Sequence, residues 1–242
     1  MKKTILFSLI SVVSFIANAQ HYFIYEGLRY EVFNLENGAS ATLINPSSSD
    51  LSNVIIPDTV EYEGYKFYVG SIGLNAFKGR ENLVSVTMPN TIKHMETGVF
   101  SGCKNLINVI LSNSLLYISK EAFYGCTSLT NITIPYSVTT IYEKAFYYCE
   151  NLLDITCLPI TPPKMNDNLG FYPAYYMATL HVAERTKEAY KATDWWSSFL
   201  VINGDASDSN PVNHQSDKCD TNGDGEVNIA DVNTVINRIL SK

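Results

Sequence analysis

The chain has 242 residues, enough for one or two domains whose core needs no disulfide or metal staples. Apolar residues make up 46% and charged residues 17%, which argues against a disordered tail protein and against a coiled coil. The net charge of −7 leaves no basic surface to neutralise phosphates, so the composition argues against nucleic acid as a partner.

The start of the chain has the pattern of an export signal. Lys2 and Lys3 precede an apolar stretch from Ile5 to Ile16, and Ala17-Asn18-Ala19 forms a small-x-small cleavage motif. An uncleaved membrane anchor is the alternative, but this stretch is shorter than the roughly 20 residues that a span needs. We therefore predict a signal peptide over residues 1–19 and a mature protein without a membrane span, either secreted, at the cell surface or in the periplasm.

The centre of the chain repeats itself every 23 residues, and four series of residues share this spacing. They are Phe77, Phe100, Phe123 and Phe146; Leu83, Leu106, Leu129 and Leu152; Ile72, Met95, Ile118 and Ile141; and Cys103, Cys126 and Cys149. A fixed period of this length, with an L-x-x-L-x-L type core, is typical of a leucine-rich repeat. We predict a β-rich solenoid in which each coil adds one short strand and one inward Phe, so that neighbouring coils stabilise each other.

The repeats are predicted to span residues 51–157 in about five coils. The first copy, at Leu51-x-x-Val54-x-Ile56, lies 32 residues before Leu83, which is one period plus nine. The nine extra residues fall around Glu61 to Val69. This indicates an insertion between the first coil and the next.

Segments on both sides of the repeats are predicted to cap the solenoid. Residues 20–50 suit an N-terminal cap of one or two strands, with a turn at Glu36-Asn37-Gly38. Residues 158–203 are assigned to a C-terminal cap, in which Pro159, Pro162 and Pro163 are expected to stop the strand ladder. Within that cap, a helical segment from Ala183 to Ala192 and the pair Trp195-Trp196 are predicted to cover the last coil.

The cysteines leave two interpretations open. Five occur, at positions 103, 126, 149, 157 and 219, and stacked coils place equivalent residues within the Cα distance of a disulfide. Cysteine is also a small hydrophobe that fills identical interior slots, and a three-member ladder cannot pair fully. We predict buried packing thiols rather than disulfides or metal ligands. Arg80 stands in the equivalent slot of the first full coil, which indicates that this coil lies at an edge or differs locally.

The strand residues that point away from the core give the candidate binding surface. By period-2 alternation they are Ser85, Thr87, Asn108, Ile110, Asn131, Thr133, Asp154 and Thr156. A ladder of mostly short, uncharged, hydrogen-bonding side chains suits a polar ligand, such as a glycan or another protein. The alternative is a solvated sheet face that binds nothing.

Catalytic signatures are missing from the sequence. It contains no nucleophile elbow, zinc-protease motif or phosphate loop, and the four histidines are scattered. A carboxylate pair for glycoside hydrolysis stays open, because its members can lie far apart in the chain. We predict a binding protein rather than an enzyme.

The C-terminal tail is predicted to bind Ca²⁺. A polar linker over residues 204–218 leads to a module at 219–242, whose loop from Asp220 to Asp231 has the form D-x-N-x-D-G-x-V-x-x-x-D. Calcium takes six to eight oxygen ligands, and Gly225 permits the sharp turn of such a loop. The predicted ligands are Asp220, Asn222, Asp224 and Asp231 through side chains, Glu226 through its backbone carbonyl, and Asn228 directly or through water.

A helix is predicted to follow the loop. Its apolar stripe consists of Val232, Val235, Ile236, Ile239 and Leu240, at helical spacing. So short a helix is not stable alone in water. The stripe therefore needs a docking surface, which is the solenoid cap, a second copy of the chain or a foreign partner.

The coils resemble the BspA-like leucine-rich repeat surface proteins. The likeness rests on I-x-x-x-A-F at Ile72–Phe77, Ile118–Phe123 and Ile141–Phe146, and on G-C-x-x-L at Gly102–Leu106 and Gly125–Leu129. It extends through Thr161-Pro162-Pro163 to Glu188–Ala192, segments similar to that family's C-terminal cap. The resemblance implies an exported adhesin-type protein of gut or oral bacteria that binds a host or bacterial surface protein or glycan, and not an enzyme.

Residues 219–241 resemble one repeat of a type I dockerin. Dockerins are calcium modules that tether proteins, often polysaccharide-degrading ones, to a cohesin. A full dockerin has two such repeats, whereas one is visible here, and Ile229 and Ala230 stand where dockerins often carry polar cohesin-reading residues. The resemblance implies a calcium-ordered docking tail. Through it, a role as a catalytic or accessory component of a secreted polysaccharide-degrading complex is the alternative function.

Overall fold

The computed structural model describes residues 21–33, 40–46, 51–167 and 169–206. The strands are β1 (His21–Tyr25), β2 (Leu28–Phe33), β3 (Ser40–Ile44), β4 (Asn53–Ile55), β5 (Thr59–Tyr62), β6 (Tyr65–Ile72), β7 (Ser85–Thr87), β8 (His94–Met95), β9 (Asn108–Ile110), β10 (Tyr117–Ile118), β11 (Asn131–Ile134), β12 (Thr140–Ile141), β13 (Asp154–Cys157), β14 (Lys164–Met165), β15 (Thr179–His181) and β16 (Val201–Asn203). A helix, α1, spans Lys187–Ala192, and 3₁₀ turns lie at Ala174–Tyr176, Glu184–Thr186 and Trp196–Ser198. The predicted signal peptide, the turn at 36–38, linker residues 207–218 and the tail at 219–242 lie outside the described residues.

Seven parallel strands of three or four residues, which we call the longer strands, form one wall of the solenoid. β4, β7 and β9 pair in parallel, as do β11, β13, β15 and β16, and β9 lies beside β11. In register, Ile132 faces Ile155, which in turn faces Leu180, and all three are buried. Because side chains alternate along a strand, the residues on either side of these point outward.

A second, narrower wall and a column of phenylalanines complete each coil. The two-residue strands β10, β12 and β14 pair in parallel, and β8 pairs with β6. Phe77, Phe100, Phe123 and Phe146 are fully buried, and their rings stack with centroids 5.4, 5.3 and 5.1 Å apart. The predicted single inner column is therefore confirmed.

The cysteines of the repeat form a ladder of thiol hydrogen bonds. Each thiol donates to the carbonyl oxygen of the Phe in the preceding coil, as Cys126 does to Phe100 (Sγ to O 3.2 Å) and Cys149 to Phe123 (3.1 Å). Burial raises the pKa of Cys103 and of Cys149 to about 12. The four described cysteines are unpaired and buried, as predicted, and Cys219 lies outside the described residues.

Arg80 takes the first slot of this cysteine ladder because its coil borders the N-terminal cap. Its guanidinium donates to the side-chain oxygen of Asn45 (2.7 Å) and to the carbonyl of Pro46. The first full coil thus differs locally, as its sequence indicates: an arginine holds the cap where later coils hold a packing thiol.

The N-terminal cap contains three described strands, more than the one or two predicted. β1, β2 and β3 are antiparallel neighbours, and β3 then pairs in parallel with β6. The nine inserted residues form most of an antiparallel hairpin of β5 and β6, whose turn at Glu63-Gly64 has positive φ at both residues. The insertion therefore widens the first coil so that it can pair with the cap.

The prediction that three prolines end the strand ladder is wrong. β14 and β15 follow those prolines and pair in parallel with β12 and β13. Phe171 continues the inner column, with its ring centroid 4.7 Å from that of Phe146. Proline lacks an N–H donor, but the ladder bond here comes from Lys164 N to Thr139 O, one residue after Pro163. The prolines therefore occupy the turn between strands and leave the pairing intact.

The end of the solenoid is covered by α1 and Trp196. The predicted helical segment is present as the 3₁₀ turn Glu184–Thr186 followed by α1. Trp196 is fully buried, lies 5.6 Å from Phe171 between ring centroids, and donates its indole N–H to Pro163 O (2.8 Å). Its predicted companion Trp195 is 38% exposed and does not seal the core.

Candidate binding surface

The outward side chains of the longer strands form two rows along the solenoid. The first row is Asn53, Ser85, Asn108, Asn131, Asp154, Thr179 and Val201; the second is Ile55, Thr87, Ile110, Thr133, Thr156, His181 and Asn203. We call this surface the strand face. Every one of these residues is exposed or half-buried. The structure thus brings all eight predicted candidates, Ser85 to Thr156, together on one face.

Six residues of the strand face were missing from the sequence-based set. Asn53 and Ile55 stand at the same offsets from Leu51 as Ser85 and Thr87 do from Leu83, so the sequence carried a signal for them. The four residues on β15 and β16 carried none, because the spacing departs from 23 residues after Cys157. The strand face is consequently longer than predicted at both ends.

The strand face mixes hydrogen-bonding groups with exposed apolar ones. In the first row, the Ser85 hydroxyl donates to the Asn53 amide oxygen (2.6 Å). In the second row, Ile55 and Ile110 are 76% and 53% exposed. Amides and hydroxyls both donate and accept hydrogen bonds. The face can therefore match a ligand that presents polar groups beside apolar patches, as proteins and glycans both do.

The C-terminal end of the strand face carries a histidine between two carboxylates. Nδ1 of His181 lies 2.7 Å from Asp205, and Nε2 lies 3.4 Å from Asp154. Partial burial lowers the pKa of His181, but the hydrogen bonds and charges of Asp205 and Asp154 outweigh it, so that the pKa is raised. The imidazole thereby links β13, β15 and the segment after β16.

The same histidine does not make a metal site. Its two carboxylates sit on opposite ring nitrogens, so they cannot converge on one ion with the imidazole. No group of three or more His, Cys, Asp or Glu side chains is placed to hold a metal within the residues described above. The predicted calcium ligands and the Val232–Leu240 stripe fall outside those residues.

Two open depressions flank the walls of the solenoid. One, of about 240 Å³, lies at the N-terminal edge of the strand face beside Glu26, Leu28 and Leu51. The other, of about 400 Å³, lies between Tyr136 and the loop from Pro159 to Pro162. Neither lining contains two carboxylates. Across the described ranges, no helix is long and apolar enough to cross a membrane.

Comparison with known proteins identifies the family of the repeats and solved structures with a similar fold. A family model described as a BspA type leucine rich repeat region matches residues 47–168 in six copies, one more than the five or so coils expected. The T. pallidum leucine rich repeat protein TpLRR is 20% identical with a TM-score of 0.59, and the match covers 76% of this chain and 82% of that one. The pneumococcal vaccine antigen PcpA is 17% identical with a TM-score of 0.52, over 71% of this chain and 52% of that one. Both likenesses concern the fold, and the search of curated proteins gave no match.

Proposed function

The chain belongs to the BspA-type leucine-rich repeat family, and on that premise we propose that it is an exported, non-catalytic binding protein. Its strand face contacts a protein or glycan of a host or bacterial surface. The site of action is the cell surface or the surrounding medium, reached by cleavage of the predicted signal peptide.

The observation that carries this proposal is the continuity of the strand face. Two rows of outward side chains cross both parallel sheets of this wall, β4-β7-β9 and β11-β13-β15-β16, and β9 lies beside β11 where the two sheets meet. Stacked repeats create extended surfaces of this kind, which solenoid proteins use for binding. The face is rigid, since each strand is held by its neighbours, and a rigid surface loses little conformational entropy on binding.

Charges placed at the centre of the strand face should weaken binding. The double variant Asn108→Lys/Asn131→Lys puts two long cations into the first row. We expect it to reduce binding of the full chain to immobilised mucin and to cultured epithelial cells by at least about tenfold, the loss typical of a disrupted interface centre. Surface plasmon resonance measures binding to mucin, and flow cytometry measures binding to the cells.

Leu74→Lys is the matched control for that double variant. Leu74 is 65% exposed and lies on the turn after β6, off the strand face, and the equivalent position two coils later is Lys120. This control should bind like the wild type. Equal binding by all three proteins would exclude the strand face as the contact surface.

The tail extends the proposal to docking. We propose that the loop of residues 220–231 binds Ca²⁺ through the oxygen ligands named above, and that binding orders the helix whose apolar stripe begins at Val232. Six oxygen donors at the predicted positions fit a hard cation. The ordered helix then attaches the protein to a partner, which is a cohesin-like domain if the dockerin likeness extends to function.

Removing one loop carboxylate should weaken calcium binding. Extracellular calcium modules bind with Kd of about 10⁻⁴ to 10⁻³ M, and Asp220→Ala and Asp231→Ala should each raise the Kd by about tenfold or more. Calorimetry of the full chain with CaCl₂ measures it, with Asp208→Ala in the linker as control. A wild type that gives no calcium heat would refute the site.

A further inference from the structure

A column of tyrosines stands just outside the column of buried phenylalanines, on the turn side of the solenoid. Tyr124, Tyr147 and Tyr172 each follow a Phe of the inner column, and their rings stack with centroids 5.7 and 5.5 Å apart. In the two preceding coils the equivalent residues are Lys78 and Ser101. The repeat itself therefore does not require an aromatic residue at this position.

Tyr148 occupies a backbone position that the three preceding coils fill with glycine. The equivalent residues Gly79, Gly102 and Gly125 have φ of 68°, 74° and 67°, and Tyr148 has φ of 59°. Left-handed backbone is sterically unfavourable for a bulky side chain. Packing does not demand a side chain there either, since a Cβ placed on Gly125 meets no atom within 4 Å. Residues held in such conformations cluster at functional sites.

Two tilted rings complete an exposed patch around this column. Tyr148 lies at 61° to Tyr147 with centroids 4.3 Å apart, and Tyr176 lies at 89° to Tyr172 with centroids 6.2 Å apart. Tyr148 is 41% exposed and Tyr176 is 64% exposed. We define the tyrosine patch by its members: Tyr124, Tyr147, Tyr148, Tyr172 and Tyr176.

The composition of the tyrosine patch selects among classes of ligand. Its five side chains are phenols, and the ammonium group of Lys144 lies 5.8 Å from the Tyr147 ring centroid. A highly charged polymer would find few counter-charges on such a surface. A neutral sugar fits better, because its C–H faces pack on aromatic rings and its hydroxyls exchange hydrogen bonds with phenols.

From this geometry we infer that the tyrosine patch is a second binding site, which takes an extended neutral glycan along the solenoid axis. The near-constant spacing of Tyr124, Tyr147 and Tyr172 offers the same contact to successive units of a polymer. The site is distinct from the strand face, because its residues lie on the turns between the short and the long strands. It would act in addition to the proposed contact through that face.

Affinity electrophoresis of the full chain tests the inference. The gels contain a neutral polysaccharide, in turn hydroxyethylcellulose, starch, galactomannan or xyloglucan, and a parallel gel contains anionic polygalacturonate. We expect retardation by at least one neutral polymer and none by polygalacturonate. Tyr148→Gly and Tyr176→Ala should each weaken that retardation about tenfold, as the loss of an aromatic anchor does. Tyr68→Ala, at a 59% exposed tyrosine on β6, should leave it unchanged.

Tyr148→Gly also separates a binding role from a structural one. It introduces the residue that the three preceding coils use and removes the left-handed side chain, so its melting temperature should equal or exceed that of the wild type. A lower melting temperature with unchanged retardation would assign Tyr148 to packing and overturn the inference. Failure of every neutral polymer to retard the wild type, or equal retardation by polygalacturonate, would overturn it as well.

Discussion

Replacing Phe123 with alanine is expected to lower the free energy of unfolding by about 3–5 kcal/mol, the usual cost of deleting a buried aromatic ring. The ring is fully buried between Phe100 and Phe146, with centroids 5.3 and 5.1 Å away. The cavity cannot close easily, because backbone hydrogen bonds such as Phe123 N to Ala145 O hold the coils at fixed spacing. Urea unfolding followed by circular dichroism measures the change.

Tyr65→Ala is the control for this substitution. Tyr65 is also aromatic but 50% exposed, on β6, and exposed positions without special contacts cost about 0.5 kcal/mol or less. If Phe123→Ala cost no more than Tyr65→Ala, the stacked inner column would not be what stabilises the coils.

Replacing Trp196 with alanine is expected to cost a similar amount, about 3–5 kcal/mol, at the end of the solenoid. The indole packs on Phe171 and Tyr190, with centroids 5.6 and 5.2 Å away, and its N–H satisfies Pro163 O. Alanine leaves both a cavity and a buried carbonyl without its donor. Because coils depend on their neighbours, protection from hydrogen exchange should be lost in β15 and β16 before it is lost in β9.

Trp195→Ala is a close control, since it removes the same side chain one residue earlier. Trp195 is 38% exposed, so its loss should change the unfolding free energy by less than about 1 kcal/mol. Equal destabilisation by the two variants, or uniform loss of protection along the chain, would contradict the capping role of Trp196.

The period of 23 residues made the inner column and the thiol ladder predictable. A stacked coil must present the same residue type at the same place, so Phe77 to Phe146 could be assigned from spacing alone. The same reasoning failed at Phe171, which lies 25 residues after Phe146. Pairing geometry tolerates a longer turn between strands, whereas a search for a fixed period does not.

Other features depend on contacts that spacing does not encode. The β5–β6 hairpin forms because the inserted residues pair with each other. The sequence shows where the insertion lies, but it does not show that the insertion folds as a hairpin. The imidazole of His181 contacts the carboxylates of Asp205 and Asp154, which lie 24 and 27 residues away in the chain. In the sequence, Tyr148 stands out because glycine occupies the equivalent position in the three preceding coils. Its functional significance depends on the positive φ at this position, which the sequence does not show.

Hydrogen–deuterium exchange on the full chain, with and without saturating mucin, tests most directly the claim that the strand face is the binding surface. Peptides covering β9 (Asn108–Ile110) and β11 (Asn131–Ile134) should exchange more slowly in the complex, while those covering the N-terminal strands β1 and β2 should not change. Slowed exchange confined to the turn side or to residues 204–242, with no change in β9 and β11, would contradict it.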